Sequence, residues 1–141
     1  MEIVRRADAD SVNLYSGELV TLNDSTSNKV LHCNGTLNQP LLFWFSQRSP
    51  LPPGDYNITI RAKINSTDGG FRVDLSDEEG QDILLSKDFS SIDFVENQWI
   101  NLTVSFRNML PLPDFEIKTV LLPQNADLYV DYVEVRQIVP K

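Results

Sequence analysis

Tyr56-Asn57-Ile58-Thr59-Ile60-Arg61-Ala62-Lys63-Ile64 is the stretch that decides the fold class. Apolar Tyr56, Ile58, Ile60, Ala62 and Ile64 alternate with polar Asn57, Thr59, Arg61 and Lys63. A period of two sends the first set to one face of a strand and the second to the other; a helix needs a period near 3.6. The rhythm recurs downstream. Phe71, Val73 and Leu75 alternate with Arg72, Asp74 and Ser76, and Ile100, Leu102, Val104 and Phe106 with Asn101, Thr103, Ser105 and Arg107. Phe115, Ile117 and Leu121 continue it, and weaker strand candidates lie at 3–7, 18–22, 29–33 and 41–47. Strands with one dry and one wet face belong to antiparallel sheets.

Turn chemistry separates these runs. Pro50-Leu51-Pro52-Pro53-Gly54-Asp55 precedes the first, where proline has no N–H for a ladder. Asn65 to Gly70 joins two strands, with Asp68-Gly69 suited to the positive φ of a tight hairpin. Asp77 to Gly80 joins the next pair, and Pro111, Pro113 and Pro123 interrupt later ones. In Ala126 to Ile138 the alternation changes phase: Leu128 and Val130 share one parity, Val133 and Val135 the other. Either a bulge near Asp131 and Tyr132 points both pairs inward, or the strand is covered on both faces and Asp131 is partly buried. Lys87 to Asn97 has room for a helical turn and nothing longer. About ten short strands at regular spacing predict a sandwich or barrel, and 141 residues fit one domain.

Charge narrows the partners. Twelve basic and twenty acidic residues leave a net charge of −8, which repels phosphates and anionic membrane surfaces. The longest apolar run, Leu41 to Phe45, falls far short of the ~20 residues of a spanning helix, so neither nucleic acid nor membrane insertion is expected. One cysteine, Cys33, excludes an internal disulfide, and one histidine, His32, excludes a site built on two imidazoles.

Two features bear on location, and they pull apart. Met1 to Asp10 contains no apolar stretch of the secretory kind, which by itself favours the cytoplasm. Yet Asn-x-Ser/Thr occurs at Asn23, Asn34, Asn57, Asn65 and Asn101. Eleven Asn and nineteen Ser plus Thr give about 1.5 such tripeptides by chance. A Thr-rich β protein inflates that number; the sharper reading is an extracellular or cell-surface domain, glycosylated and cut from a longer protein. Asn57 and Asn101 fall on wet strand faces and the other three in predicted turns, so all five are physically acceptable acceptors.

Pro53-Gly54-Asp55-Tyr56-Asn57-Ile58-Thr59-Ile60-Arg61 resembles the PG-x-Y strand entry of carbohydrate-binding modules with the galactose-binding-like jelly-roll fold. Trp99 to Phe106 and Asp127 to Val135 are similar to that family's later strands, so the likeness runs over roughly residues 50 to 138. It implies an all-β, jelly-roll-like sandwich of two antiparallel sheets with about eight to ten strands. It also implies an accessory role beside a larger parent protein and a structural calcium held by a last-strand acidic residue. Asp131 matches that residue. The paired glutamates near the family's start have no clear counterpart, Glu2, Asp8 and Asp10 being the nearest substitutes.

Catalysis finds little footing. His32 and Cys33 are neighbours on a strand candidate, so they face opposite ways and cannot pair as base and nucleophile. Asp74 with Asp131 is a conceivable carboxylate pair, but no feature of the chain places them together. Sugar binding needs flat aromatics against the apolar face of a pyranose and a few fixed polar groups. Trp44 has the parity opposite to Phe43 and Phe45, and Trp99 that of Asn101 and Thr103; both are expected to face outward. Arg61, Arg72 and Asp74 are expected on wet faces, within reach of hydroxyls. Were Asn57 and Asn101 glycosylated on that face, a ligand would have to use loops near Tyr129 and residues 65–70. The expected function is a non-catalytic carbohydrate-binding module. The alternative is a structural or adhesion module of a glycosylated or membrane-anchored protein, such as a glycosyltransferase appendage, that binds no free sugar.

Overall fold

The computed structural model describes residues 2–8, 13–14, 18–22, 29–34, 41–45, 51–65, 69–77, 82–112, 115–121 and 127–138, with the backbone alone at 2–8, 13–14, 34, 41–45, 82, 91 and 121. Eleven strands are present among them: β1 (Glu2–Asp8), β2 (Asn13–Leu14), β3 (Glu18–Thr21), β4 (Lys29–Asn34), β5 (Leu41–Phe45), β6 (Gly54–Ile64), β7 (Phe71–Asp77), β8 (Asp82–Phe89), β9 (Ile100–Asn108), β10 (Glu116–Leu121) and β11 (Asp127–Ile138). They form two antiparallel sheets. One runs β3-β4-β11-β6-β9 with β1 also on β11, and the other runs β2-β5-β10-β7-β8. The expected all-β sandwich is the fold observed.

The core forms where the two dry faces meet. Ile58, Ile60, Ala62 and Ile64 of β6 and Leu128, Val130, Val133 and Val135 of β11 come from one sheet. Phe71, Val73 and Leu75 of β7, with Ile117 of β10, come from the other. Tyr56 is also buried, its hydroxyl donating to the Pro52 carbonyl at 2.5 Å, which ties the proline-rich entry to β6. No helix among the described residues is long and apolar enough to cross a membrane.

The change of phase in β11 is a bulge. Val130 pairs with Ala62 and Tyr132 with Arg61, leaving Asp131 as the extra residue. Four inward apolar residues thereby keep to the core across the irregularity, and Asp131 itself is buried, so the two sequence alternatives coincide.

One local expectation is corrected. The segment 65–70 is not a hairpin turn, because β6 and β7 lie in different sheets; it crosses from one layer to the other. The glycine with positive φ there is Gly70, at +159°, where β7 meets the end of β8. Within Lys87 to Asn97, residues 87–89 continue β8, and the helical portion is the 3-10 turn Ser91–Asp93. The backbone N–H of Ser90 donates to Asp93 Oδ2 at 2.9 Å and holds that turn.

Candidate functional site

A cross-strand row on the outer face of the six-stranded sheet brings aromatic, cationic and acidic side chains together. Glu18 of β3 pairs with His32 of β4, His32 with Tyr129 of β11, and Tyr129 with Lys63 of β6. Trp99, just ahead of β9, completes the row beyond Lys63. Its placement begins in the turn Val95 to Gln98, closed by Gln98 N–H to the Val95 carbonyl at 3.1 Å. Asn97 takes φ +60°, a conformation asparagine tolerates, and its N–H donates to the Ile64 carbonyl at 2.7 Å. The turn is thus docked on the end of β6, and the indole comes to rest beside the outward residues of that strand. The Arg61 guanidinium lies 4.7 Å and the Lys63 ammonium 5.0 Å from the Trp99 ring centre. Lys63 is also 5.3 Å from the Tyr129 ring, so one cation sits between two aromatics.

The other end of the row is held by hydrogen bonds. Asn65 Nδ2 donates to Asp127 Oδ2 at 3.0 Å while Asp127 N–H donates to Asn65 Oδ1 at 2.9 Å, clamping the end of β6 to the start of β11. Tyr129 is set two residues later and stacks on His32 with ring centres 4.8 Å apart and planes 15° from parallel. Burial first, and then the Asp127 carboxylate, push the Tyr129 phenol above its ordinary pKa, so at neutral pH it keeps its proton and can donate. His32 lies 3.4 Å from Glu18 Oε1 and 3.3 Å from Asp127 Oδ1. On the opposite side of β4, burial pushes the Cys33 thiol up to about 12, which leaves it protonated and unreactive at neutral pH. The two neighbours face apart, as their positions on a strand require.

The remaining sequence candidates lie elsewhere. Asp74 is not on a wet face: it is 6% exposed, because the Arg72 guanidinium grips both its oxygens at 3.0 and 3.2 Å and Ser86 donates to it at 2.6 Å. Arg72 and Asp74 belong to the five-stranded sheet, so they share no site with Trp99 and Tyr129. Trp44 stands in β5, in register with Asn13 and Lys118, and Lys118 pairs onward with Asp74; the Trp44 side chain lies outside the described residues. Asp74 and Asp131 sit in different sheets, each with its own arginine, and do not form a carboxylate pair.

Of the calcium ligands implied by the resemblance, Glu2 lies far from Asp131, whereas Asp8 stands in register beside it. Asp131 is 0% exposed, and its Oδ2 lies 2.6 Å from Arg61 Nη1, so a guanidinium already meets that carboxylate. Glu2 pairs with Gln137 while Asp8 pairs with Tyr132. Glu2 therefore stands about 20 Å along β11 from Asp131, against metal–oxygen distances of about 2.4 Å. Asp10 lies outside the described residues, and among those described no group of three metal-ligating side chains occurs. We expect the melting temperature to be the same with added calcium and with excess chelator; a drop with chelator would restore the metal.

The five sequons separate on the same geometry. Asn23 and the Asn34 side chain lie outside the described residues. Asn57 is half-buried in β6 and accepts from Ser105 Oγ at 3.0 Å, and Asn65 is committed to Asp127. Asn101 is exposed on β9.

A hollow of about 400 Å3 opens at the other end of this sheet, lined by Pro53, Gly54, Asp55, Arg107, Asn108 and Met109. Its charged groups are spent on each other. Arg107 Nε donates to Asp55 Oδ1 at 2.7 Å, and this bond holds the Asp55 carboxyl below its ordinary pKa. The row is therefore the better candidate. Parity singled out Trp99, and the loops near Tyr129 and residues 65–70 were named together, but His32, Lys63 and Asp127 were missed as their neighbours. Lys63 was visible as an outward residue of β6; His32 was not, because no local signal shows that β4 lies beside β11.

No family model and no curated protein matches the chain in sequence. Solved structures do match in shape. A family 35 carbohydrate-binding module from Clostridium thermocellum has TM-score 0.67 at 18% identity, covering 96% of this chain and 100% of that one. The module CBM6cm-2 of Cellvibrio mixtus lichenase 5A, solved with cellotriose, has TM-score 0.65 at 13% identity, covering 97% and 99%. The CBM22-1–GH10 portion of Clostridium thermocellum xylanase 10B, solved with xylohexaose, has TM-score 0.61 at 13% identity, covering all of this chain and 30% of that one. This protein has the jelly-roll fold of the carbohydrate-binding modules.

Proposed function

We propose that this chain is a single non-catalytic carbohydrate-binding module of an extracellular or cell-surface protein, and that an extended oligosaccharide lies along the Trp99–Lys63–Tyr129–His32 row. The observation that carries the reading is the placement of Trp99 and Tyr129 on either side of Lys63. Two strand spacings put them about 10 Å apart, close to the length of two pyranose units. The exposed parts of the two half-buried rings offer apolar surface to a sugar, while the ammonium between them and the polar groups beside His32 meet hydroxyls. The structural neighbours support it: one was solved with cellotriose, and another forms part of a larger xylanase chain solved with xylohexaose.

A glycan array followed by calorimetry on the hits tests this. Trp99→Ala and Tyr129→Ala are each expected to weaken the best ligand fivefold to tenfold, about 1–1.4 kcal/mol, with an unchanged circular dichroism spectrum. Silence across plant, microbial and host saccharides would overturn the reading in favour of a structural or adhesion module.

A further inference from the structure

We infer that Asn101 carries an N-linked glycan whose first sugar packs against Trp99, so that one aromatic of the row is met in cis by the protein's own carbohydrate. Trp99 and Asn101 are two residues apart, the spacing at which strand side chains share a face. The structure supports that placement through Arg61. Asn101 is its cross-strand partner, and the Arg61 guanidinium lies 4.7 Å from the Trp99 ring centre, so both residues flank the same side chain. Asn101 is exposed. Thr103, which completes the acceptor tripeptide, is exposed as well. β9 ends the strand order of its sheet, so among the described residues no strand pairs along its far edge.

Asn57 and Asn65 lack this combination. Asn57 lies in β6 between two paired neighbours, and the Asn65 amide bridges Asp127. A sugar attached at Asn101 does not have to be recruited from solution, so the association entropy of a free ligand is not lost again on stacking. The apolar face of the first N-acetylglucosamine gains contact with the half-buried indole, and the folded state gains stability over the unfolded one, where the two residues have no fixed geometry. This inference needs no free ligand and competes with the reading above for Trp99: where Asn101 is glycosylated, a free saccharide is left the Lys63–Tyr129–His32 part of the row.

The test is to secrete the full chain from a eukaryotic host, map the modified asparagines by mass spectrometry and trim each glycan to its core N-acetylglucosamine. Asn101 is expected to be occupied, and the trimmed protein to melt about 2–4 °C above Asn101→Gln from the same host. That difference should vanish between Trp99→Leu and Trp99→Leu/Asn101→Gln. The wild-type glycoprotein supplies a second measurement that does not depend on the folding of Trp99→Leu: the core sugar's protons should show upfield ring-current shifts in its NMR spectrum. An unmodified Asn101 on the secreted protein, or unshifted sugar protons, would overturn the inference. Calorimetry on unglycosylated protein tests the free-saccharide reading separately.

Discussion

Arg61→Met is expected to lower stability by about 3 kcal/mol, or roughly 10 °C in melting temperature, while Arg61→Met/Asp131→Asn recovers most of the loss. Asp131 is wholly buried at the β11 bulge and its carboxylate meets the Arg61 guanidinium at 2.6 Å. Removing the guanidinium takes away one partner of a buried charge, and breaking such a pair typically costs about 3–5 kcal/mol. The low end applies because the Arg61 side chain is 24% exposed, so water screens part of the interaction. Arg61 also lies over Trp99, and losing that contact removes a further ~0.5–1 kcal/mol. Urea titration of the two single variants and the double variant gives the coupling directly. A single variant within about 0.5 kcal/mol of wild type would show that the bulge does not depend on this pair.

Gly70→Ala is expected to be comparably damaging, at about 3–5 kcal/mol. An added Cβ would stand 1.9 Å from the Phe89 carbonyl oxygen and 3.0 Å from the Ser90 Cα, both backbone atoms. No rotamer relieves such an overlap, so the start of β7 must part from the end of β8. Phe71 and Phe89, packed with ring centres 5.7 Å apart in the core, would move with them. Overpacking of this kind costs about 1–3 kcal/mol, and the positive φ adds about 1–3 more. Gly54→Ala offers the contrast. Its new Cβ would approach the Gln137 side-chain nitrogen at 2.8 Å, the mobile end of a side chain that can swing away. Thermal melts should rank wild type, Gly54→Ala and Gly70→Ala in falling order. Equal melting temperatures for the two variants would show that the crossover, and not the close approach, governs this corner.

These variants also mark where sequence reading stopped. The glycines at 69 and 70 were legible as a break between strands, but their purpose was read as a hairpin. The backbone of β8 makes Gly70 necessary, and β8 lies in the sheet that β6 does not join. Asp131 shows the opposite case: the phase change around it offered a bulge and a partly buried carboxylate as alternatives, and the structure contains both. The wet-face reading of Asp74 failed because parity reports direction and not cover. Arg72 and Ser86 close over an outward carboxylate and bury it.

The residues by themselves determined the all-β class, the strands of β6, β7, β9 and β11, and the division of each into an inward and an outward set. They could do so because side-chain alternation is a property of consecutive residues, set by the pleat of one strand. Only the tertiary structure decided which outward residues meet. Glu18, His32, Lys63, Trp99 and Tyr129 come from five separate places in the chain. They form one row because β3, β4, β11, β6 and β9 lie side by side, in an order no local pattern encodes. Pairing of distant strands is chosen by the shared core beneath them, and the row above is a consequence of that choice.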